Sequence, residues 1–140
     1  ASKSDCDPES KIFASLSPKG ETDWYHYEAS DKAFCTIKPW VKLSAMAGNY
    51  DVCVYFQCAN GKSGAGTVKC NAGQSTSGGP NGSYGCCSNL SGTQEEFAKV
   101  SPSCTTLGAG SESGTVWVRV RPHLSSEKCG GYMLTWSAKN

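Results

Sequence analysis

The sequence predicts an all-β fold, a jelly-roll-like antiparallel sandwich stapled by disulfides, and three observations carry that expectation. The periodic segments are short, alternate apolar with polar residues and are rich in β-branched and aromatic side chains. Nine cysteines are spread through 140 residues. Between Cys58 and about Cys104 the alternation stops, and nine of the 16 glycines fall in that stretch, as expected of one long irregular loop crossed by disulfides.

The expected strands follow in chain order. Ile12 to Leu16 offers a short first strand, and Asp23-Trp-Tyr-His-Tyr-Glu28 a second. Ala33 to Ile37, Val41 to Ala45 and Tyr50 to Phe56 follow; in the last of these, Tyr50, Val52, Val54 and Phe56 oppose Cys53 and Tyr55. Residues 93–99 read as a helical turn or an edge strand. In Thr115 to Val120 the valines at 116, 118 and 120 take the core side and leave Trp117, Arg119 and Arg121 on the other. Tyr132, Leu134 and Trp136 are the buried set of the last strand. Six or more such strands fit a sandwich or barrel.

Composition narrows the function classes. The length suits one domain, and the formal charge of +1 comes from scattered lysines and arginines, with no basic stripe for a phosphate backbone, so nucleic acid is not an expected partner. No apolar run reaches the roughly 18 residues of a membrane span. The cysteines include no Cys-x-x-Cys pair and no haem-attachment motif, which removes the usual signatures of zinc and covalent haem. Disulfides in an oxidising environment remain, and with them a secreted or cell-surface location. The opening Ala1-Ser2-Lys3 suits a mature end left by signal cleavage.

Motifs for catalysis are weak. His26 and His123 have no metal-binding partner at helical spacing, and His26 reads as a surface or satisfied strand residue. Gly61-Lys62-Ser63 imitates the end of a phosphate loop, yet Phe56 stands where that loop needs its first glycine. Gly61-Lys-Ser-Gly-Ala65 falls short of a nucleophile elbow. The expectation is a protein that is not an enzyme and has no cofactor. Asp5, Asp7, Glu9 and Asp23 read first as solvated carboxylates and second as calcium ligands.

Trp117, Arg119, Arg121 and Tyr55 form the candidate binding face. On adjacent strands they would make an aromatic and guanidinium strip for stacking on sugars or anchoring a protein. The competing reading is that the stapled loop folds over them. Asn81-Gly-Ser83 and Asn89-Leu-Ser91 are sequons, which makes Asn81 and Asn89 candidate glycosylation sites.

Asp23-Trp-Tyr-His-Tyr27, Val41 to Ala45 with Gly48 to Tyr55, Gly114 to Val120 and Tyr132 to Trp136 occur in an order that resembles the bacterial pre-peptidase C-terminal domain, in a Cys-rich form similar to that of myxobacterial secreted proteins. The resemblance implies a noncatalytic extracellular β-sandwich over residues 21–140, preceded by an extension over residues 1–20. Cys35, Cys53, Cys58, Cys70, Cys86, Cys87, Cys104 and Cys129 lie inside that region and are its expected disulfide cysteines. Cys6 lies outside and is the candidate intermolecular thiol. Two functions are therefore expected in order: a structural subunit of an extracellular polymer, self-associating through Cys6 and the amino-terminal segment, and an accessory binding module for polysaccharide or protein.

Overall fold

A computed structural model describes residues 2–16, 21–45, 48–90, 95–104, 112–123 and 130–140. The strands are β1 (Ser2–Ser4), β2 (Ser10–Leu16), β3 (Asp23–Ser30), β4 (Ile37–Ala45), β5 (Tyr50–Cys58), β6 (Val68–Ala72), β7 (Gln74–Thr76), β8 (Tyr84–Ser88), β9 (Glu96–Pro102), β10 (Gly114–Pro122) and β11 (Gly130–Lys139). Six form one sheet in the order β1-β3-β10-β5-β8-β7, and five form the other in the order β2-β11-β4-β9-β6. All pairings are antiparallel except β1 with β3. The chain changes sheet at every connection except that between β7 and β8. This is the expected disulfide-stapled β-sandwich.

Alternation builds the core. Val116, Val118 and Val120 of β10 lie beside Val52, Val54 and Phe56 of β5, and these face Val41 and Leu43 of β4 with Tyr132 and Leu134 of β11. Each of these is at most 1% exposed. Burying a side chain of this size contributes roughly 1.5–3 kcal/mol. Trp136, expected among the buried set, is only partly buried at the margin of this core.

Three strand expectations are corrected. Residues 33–36 are not extended: Phe34 turns the chain with φ 73° and points into solvent, and β4 starts at Ile37. Pro39 sits within β4 where the register against β11 shifts, so its missing N–H falls at an interruption of the ladder. The segment from Cys58 to Cys104 is not one irregular loop, since it supplies β6, β7, β8 and β9. β6, β7 and β8 escape notice because Gly, Ser, Asn and bridged Cys replace the apolar alternation. β9 lies between β4 and β6, not at an edge.

The amino-terminal segment does not stand apart from the sandwich. β1 borders the six-stranded sheet beside β3, and β2 borders the five-stranded sheet beside β11. Pairing of Ser4 with Ser30 carries the following residues toward the turn after β3, where Cys6 bonds Cys35. The expectation of an intermolecular thiol at Cys6 is thus corrected. The other bridges are Cys53–Cys87, Cys58–Cys104 and Cys70–Cys86. Cys129, expected among the paired set, lies outside the described residues.

Tyrosines tie the two layers together. Tyr27 of β3 donates to the Ser137 carbonyl of β11 at 3.2 Å, while the Tyr132 hydroxyl meets Tyr25 and the Asp23 carboxylate, each at 2.5 Å. Burial pushes the ionisation of Tyr25, Tyr27, Tyr55 and Tyr132 above the usual tyrosine value, and Asp23 adds to the effect at Tyr132. The neutral phenols keep their protons in the folded state at a pH where the unfolded chain loses them. Stability is therefore flat below the ordinary tyrosine pKa of about 10 and falls as pH rises above it. Thermal melts between about pH 8 and about pH 12 should show this decline, with phenolate absorbance rising together with loss of the β-sheet signal. Phenolate formation in a chain that keeps its sheet signal would contradict it.

Candidate ligand-binding face

The outward face of the six-stranded sheet gathers aromatic and guanidinium groups in two cross-strand rows. Register places Trp24, Arg119, Cys53, Cys87 and Gln74 in one row across β3, β10, β5, β8 and β7. The next row reads His26, Trp117, Tyr55, Gly85 and Thr76. Side chains directly opposite on neighbouring strands are close enough to touch.

The Arg119 guanidinium lies over a pair of touching rings, with its carbon 5.6 Å from the centroids of both Trp24 and Tyr55, which are themselves 5.8 Å apart. These are cation–π distances. Its Nη2 donates toward the Cys53 sulfur at 3.2 Å. Its Nε is buried with no hydrogen-bond partner, as is Nε1 of Trp117. His26 stacks on Trp117 at 4.8 Å with an interplanar angle of 30°. Trp24 is 43% exposed, whereas Tyr55 is fully buried.

The strip is covered at Tyr55 and open at its other end. The chain after β7 covers Tyr55: Gly79 lies flat on the ring, where a Cβ would come 2.7 Å from Cγ. Trp24, His26, Trp117 and Arg119 stay uncovered or half-covered. Burial raises the Tyr55 phenol's pKa, and the charges of Arg119 and Arg121 oppose that rise.

Beside the aromatic shelf runs a polar groove of about 280 Å³, lined by Gln74, Ser75, Thr76, Asn89, Arg119 and Arg121 among others. Arg121, 45% exposed, has Nε 3.6 Å from the buried Asp51 carboxylate, whose other oxygen is 2.8 Å from His123 Nδ1. Arg119 makes no ion pair among the described residues.

Trp24, His26, Gln74, Ser75 and Thr76 were not foreseen as site residues. Alternation in β3 does put Trp24 and His26 on one side, but the neighbourhood of β3 and β10 follows from strand order, which sequence does not display. The β7 residues carry no apolar pattern at all.

The four weak calcium candidates each have a protein partner. Asp5 accepts from the Lys32 amide at 3.0 Å, Asp7 from the Ser4 amide at 2.7 Å, and Glu9 pairs with Lys11 at 3.2 Å. Asp23 receives the Tyr132 hydroxyl. Burial, then the neighbouring Asp31 carboxyl, pushes Asp5 up, while the Ser4 contacts hold Asp7 below the usual carboxylate range. Among the described residues the one cluster of three metal-ligating types is Asp5, Cys6 and Cys35, whose two sulfurs are bonded to each other. Asn81 is exposed and donates to Gln57 at 3.2 Å; Asn89 is exposed on the groove.

No helix among the described residues is long and apolar enough to cross a membrane. No protein-family model matches the chain, and no curated protein matches it.

Proposed function

We propose that this chain is a noncatalytic extracellular module that binds polysaccharide through the outer face of its six-stranded sheet. The observation that carries this reading is the half-exposed Trp24 ring beside Trp117 and the stacked Arg119 guanidinium, on a rigid sheet rather than a loop. Pyranose rings present an apolar C–H face to indole and a polar rim to amides and hydroxyls, and the shelf and groove offer those two chemistries side by side. Four disulfides are consistent with an extracellular setting. The segment order that resembles the pre-peptidase C-terminal domain also supports a module that holds a ligand without transforming it.

Retention on immobilised polysaccharides tests this. Trp24→Ala and Trp117→Ala should each weaken retention by about tenfold, in line with the loss of a stacked aromatic contact. Trp24→Ala should leave the melting temperature within a few degrees, because that side chain is half-exposed and lies outside the core. Undiminished retention of both variants would remove the shelf from the binding site.

A second reading, self-association into an extracellular polymer, is favoured by one feature. β2 is an edge strand whose Phe13 is 74% exposed, a combination suited to pairing with another chain. Sedimentation of the chain as a single-chain particle at high concentration would remove this reading.

A further inference from the structure

The groove beside the shelf holds a charge with no ion-pair partner among the described residues. Arg119 is partly buried, packed over the adjoining Trp24 and Tyr55 rings and touched at Nη2 by sulfur, a weak hydrogen-bond acceptor. Among the described residues no carboxylate lies within ion-pair distance of it. A guanidinium offers five N–H donors, and one that is withdrawn from water without an anionic partner is costly to the fold. Natural cores answer such a charge with an internal acid, as Asp51 does for Arg121. Among the described residues none does so for Arg119.

Arg119 also sits at the border of the two compartments. It stacks on the shelf through Trp24 and lines the groove with Gln74, Ser75, Thr76, Asn89 and Arg121. The named lining groups are cationic or neutral. The groove's 280 Å³ lies near the lower end of ordinary small-ligand clefts, about 300 Å³, and suits a group the size of one sugar residue.

We infer that the groove takes the anionic substituent of an acidic sugar, a uronate carboxylate or a sulfate ester within a polysaccharide chain, with Arg119 as its principal partner. Arg121 adds long-range attraction, and the Gln, Ser, Thr and Asn side chains take the hydroxyls. The aromatic shelf carries the ring of the same or the next residue. This inference rests on the binding reading proposed above and specifies its ligand class.

Affinity electrophoresis of the intact chain through gels containing polygalacturonate, dextran sulfate or neutral dextran tests it, at low and at raised salt. Retardation by an acidic polymer but not by dextran is expected, and the two acidic gels distinguish carboxylate from sulfate ester as the source of the charge. Arg119→Gln should weaken binding at least about tenfold, the effect of losing a hydrogen-bonded charge. Arg119→Lys should not restore it, because an ammonium lacks the planar fork that stacks and pairs simultaneously. If Arg119→Gln melts early, the exposed Arg121→Gln variant and the salt dependence of the unaltered chain decide instead, both weakening binding if the inference holds.

Equal retardation in dextran and polygalacturonate, unmoved by salt and by Arg119→Gln, would overturn the acidic-sugar assignment while leaving the Trp24 and Trp117 shelf as a neutral-glycan site. Retardation in no gel would overturn both readings.

Discussion

Replacing Cys58 and Cys104 together by alanine is expected to cost about 3 kcal/mol of stability and lower the melting temperature by about 10 °C. The bridge spans 46 residues and joins the end of β5 to the chain leaving β9, so it encloses β6, β7, β8 and β9. In the chain-entropy account, longer closed loops restrict the unfolded state more. Cys53–Cys87 already provides a shorter covalent route across the same region, which keeps the expected loss below the value for an isolated loop of that length. Both sulfurs are also core atoms, with Cys58 3% and Cys104 1% exposed. Their removal loosens a neighbourhood where Asn60 Nδ2 donates to the Cys104 carbonyl at 2.7 Å and the Cys104 amide donates to Glu112 at 2.7 Å. Non-reducing thermal melts of the double variant check this. An unchanged midpoint would mean that the remaining bridges already constrain the unfolded chain.

Gly85→Ala should destabilise the fold by a comparable amount, about 3 kcal/mol, and weaken ligand retention at the same time. Gly85 lies in β8 directly across from Tyr55 of β5 and Thr76 of β7. A Cβ there would meet the Val54 carbonyl oxygen and come 2.7 Å from the Tyr55 Cα and 2.8 Å from its Cδ1. Two of those three atoms are backbone, so relief requires the β5–β8 pair to separate. Arg119 lies over the Tyr55 ring, and tilting that ring reaches the proposed binding face without touching any exposed residue. Melting curves and retention of the folded fraction measure the two effects separately. A variant with the original melting temperature would show that β8 accommodates a methyl group without strain.

How far sequence reached depended on which force organised each segment. β5, β10 and much of β11 are held by buried apolar rows, and alternation reports those directly: Val52, Val54, Val116, Val118, Val120 and Leu134 all lie in the core as expected. β6, β7 and β8 are held by backbone pairing and sulfur, so their residues carry no hydrophobic period; Gln74-Ser-Thr76 would pass for a loop in any chain. At residues 33–36 strand-forming composition was overruled by a turn with Phe34 at positive φ. The aromatic and guanidinium strip was partly legible, because the valine side of β10 fixed the opposite side for Trp117 and Arg119. Its other half was not, because the contact of Arg119 with Trp24 depends on β3 being the neighbour of β10. The pairing of Cys6 follows from the parallel contact of β1 with β3, a proximity that spacing alone does not encode.

The adjacent Cys86 and Cys87 have a consequence for how this protein matures. Alternation along β8 sends the first inward to Cys70 on the opposite sheet and the second outward to Cys53 on the neighbouring strand. Exchanging their partners would demand a one-residue slip of β8, turning Gly85 inward and Cys86 outward. A scrambled isomer of this kind cannot coexist with the native register. Native sulfur pairing and native strand alignment at β8 therefore imply one another.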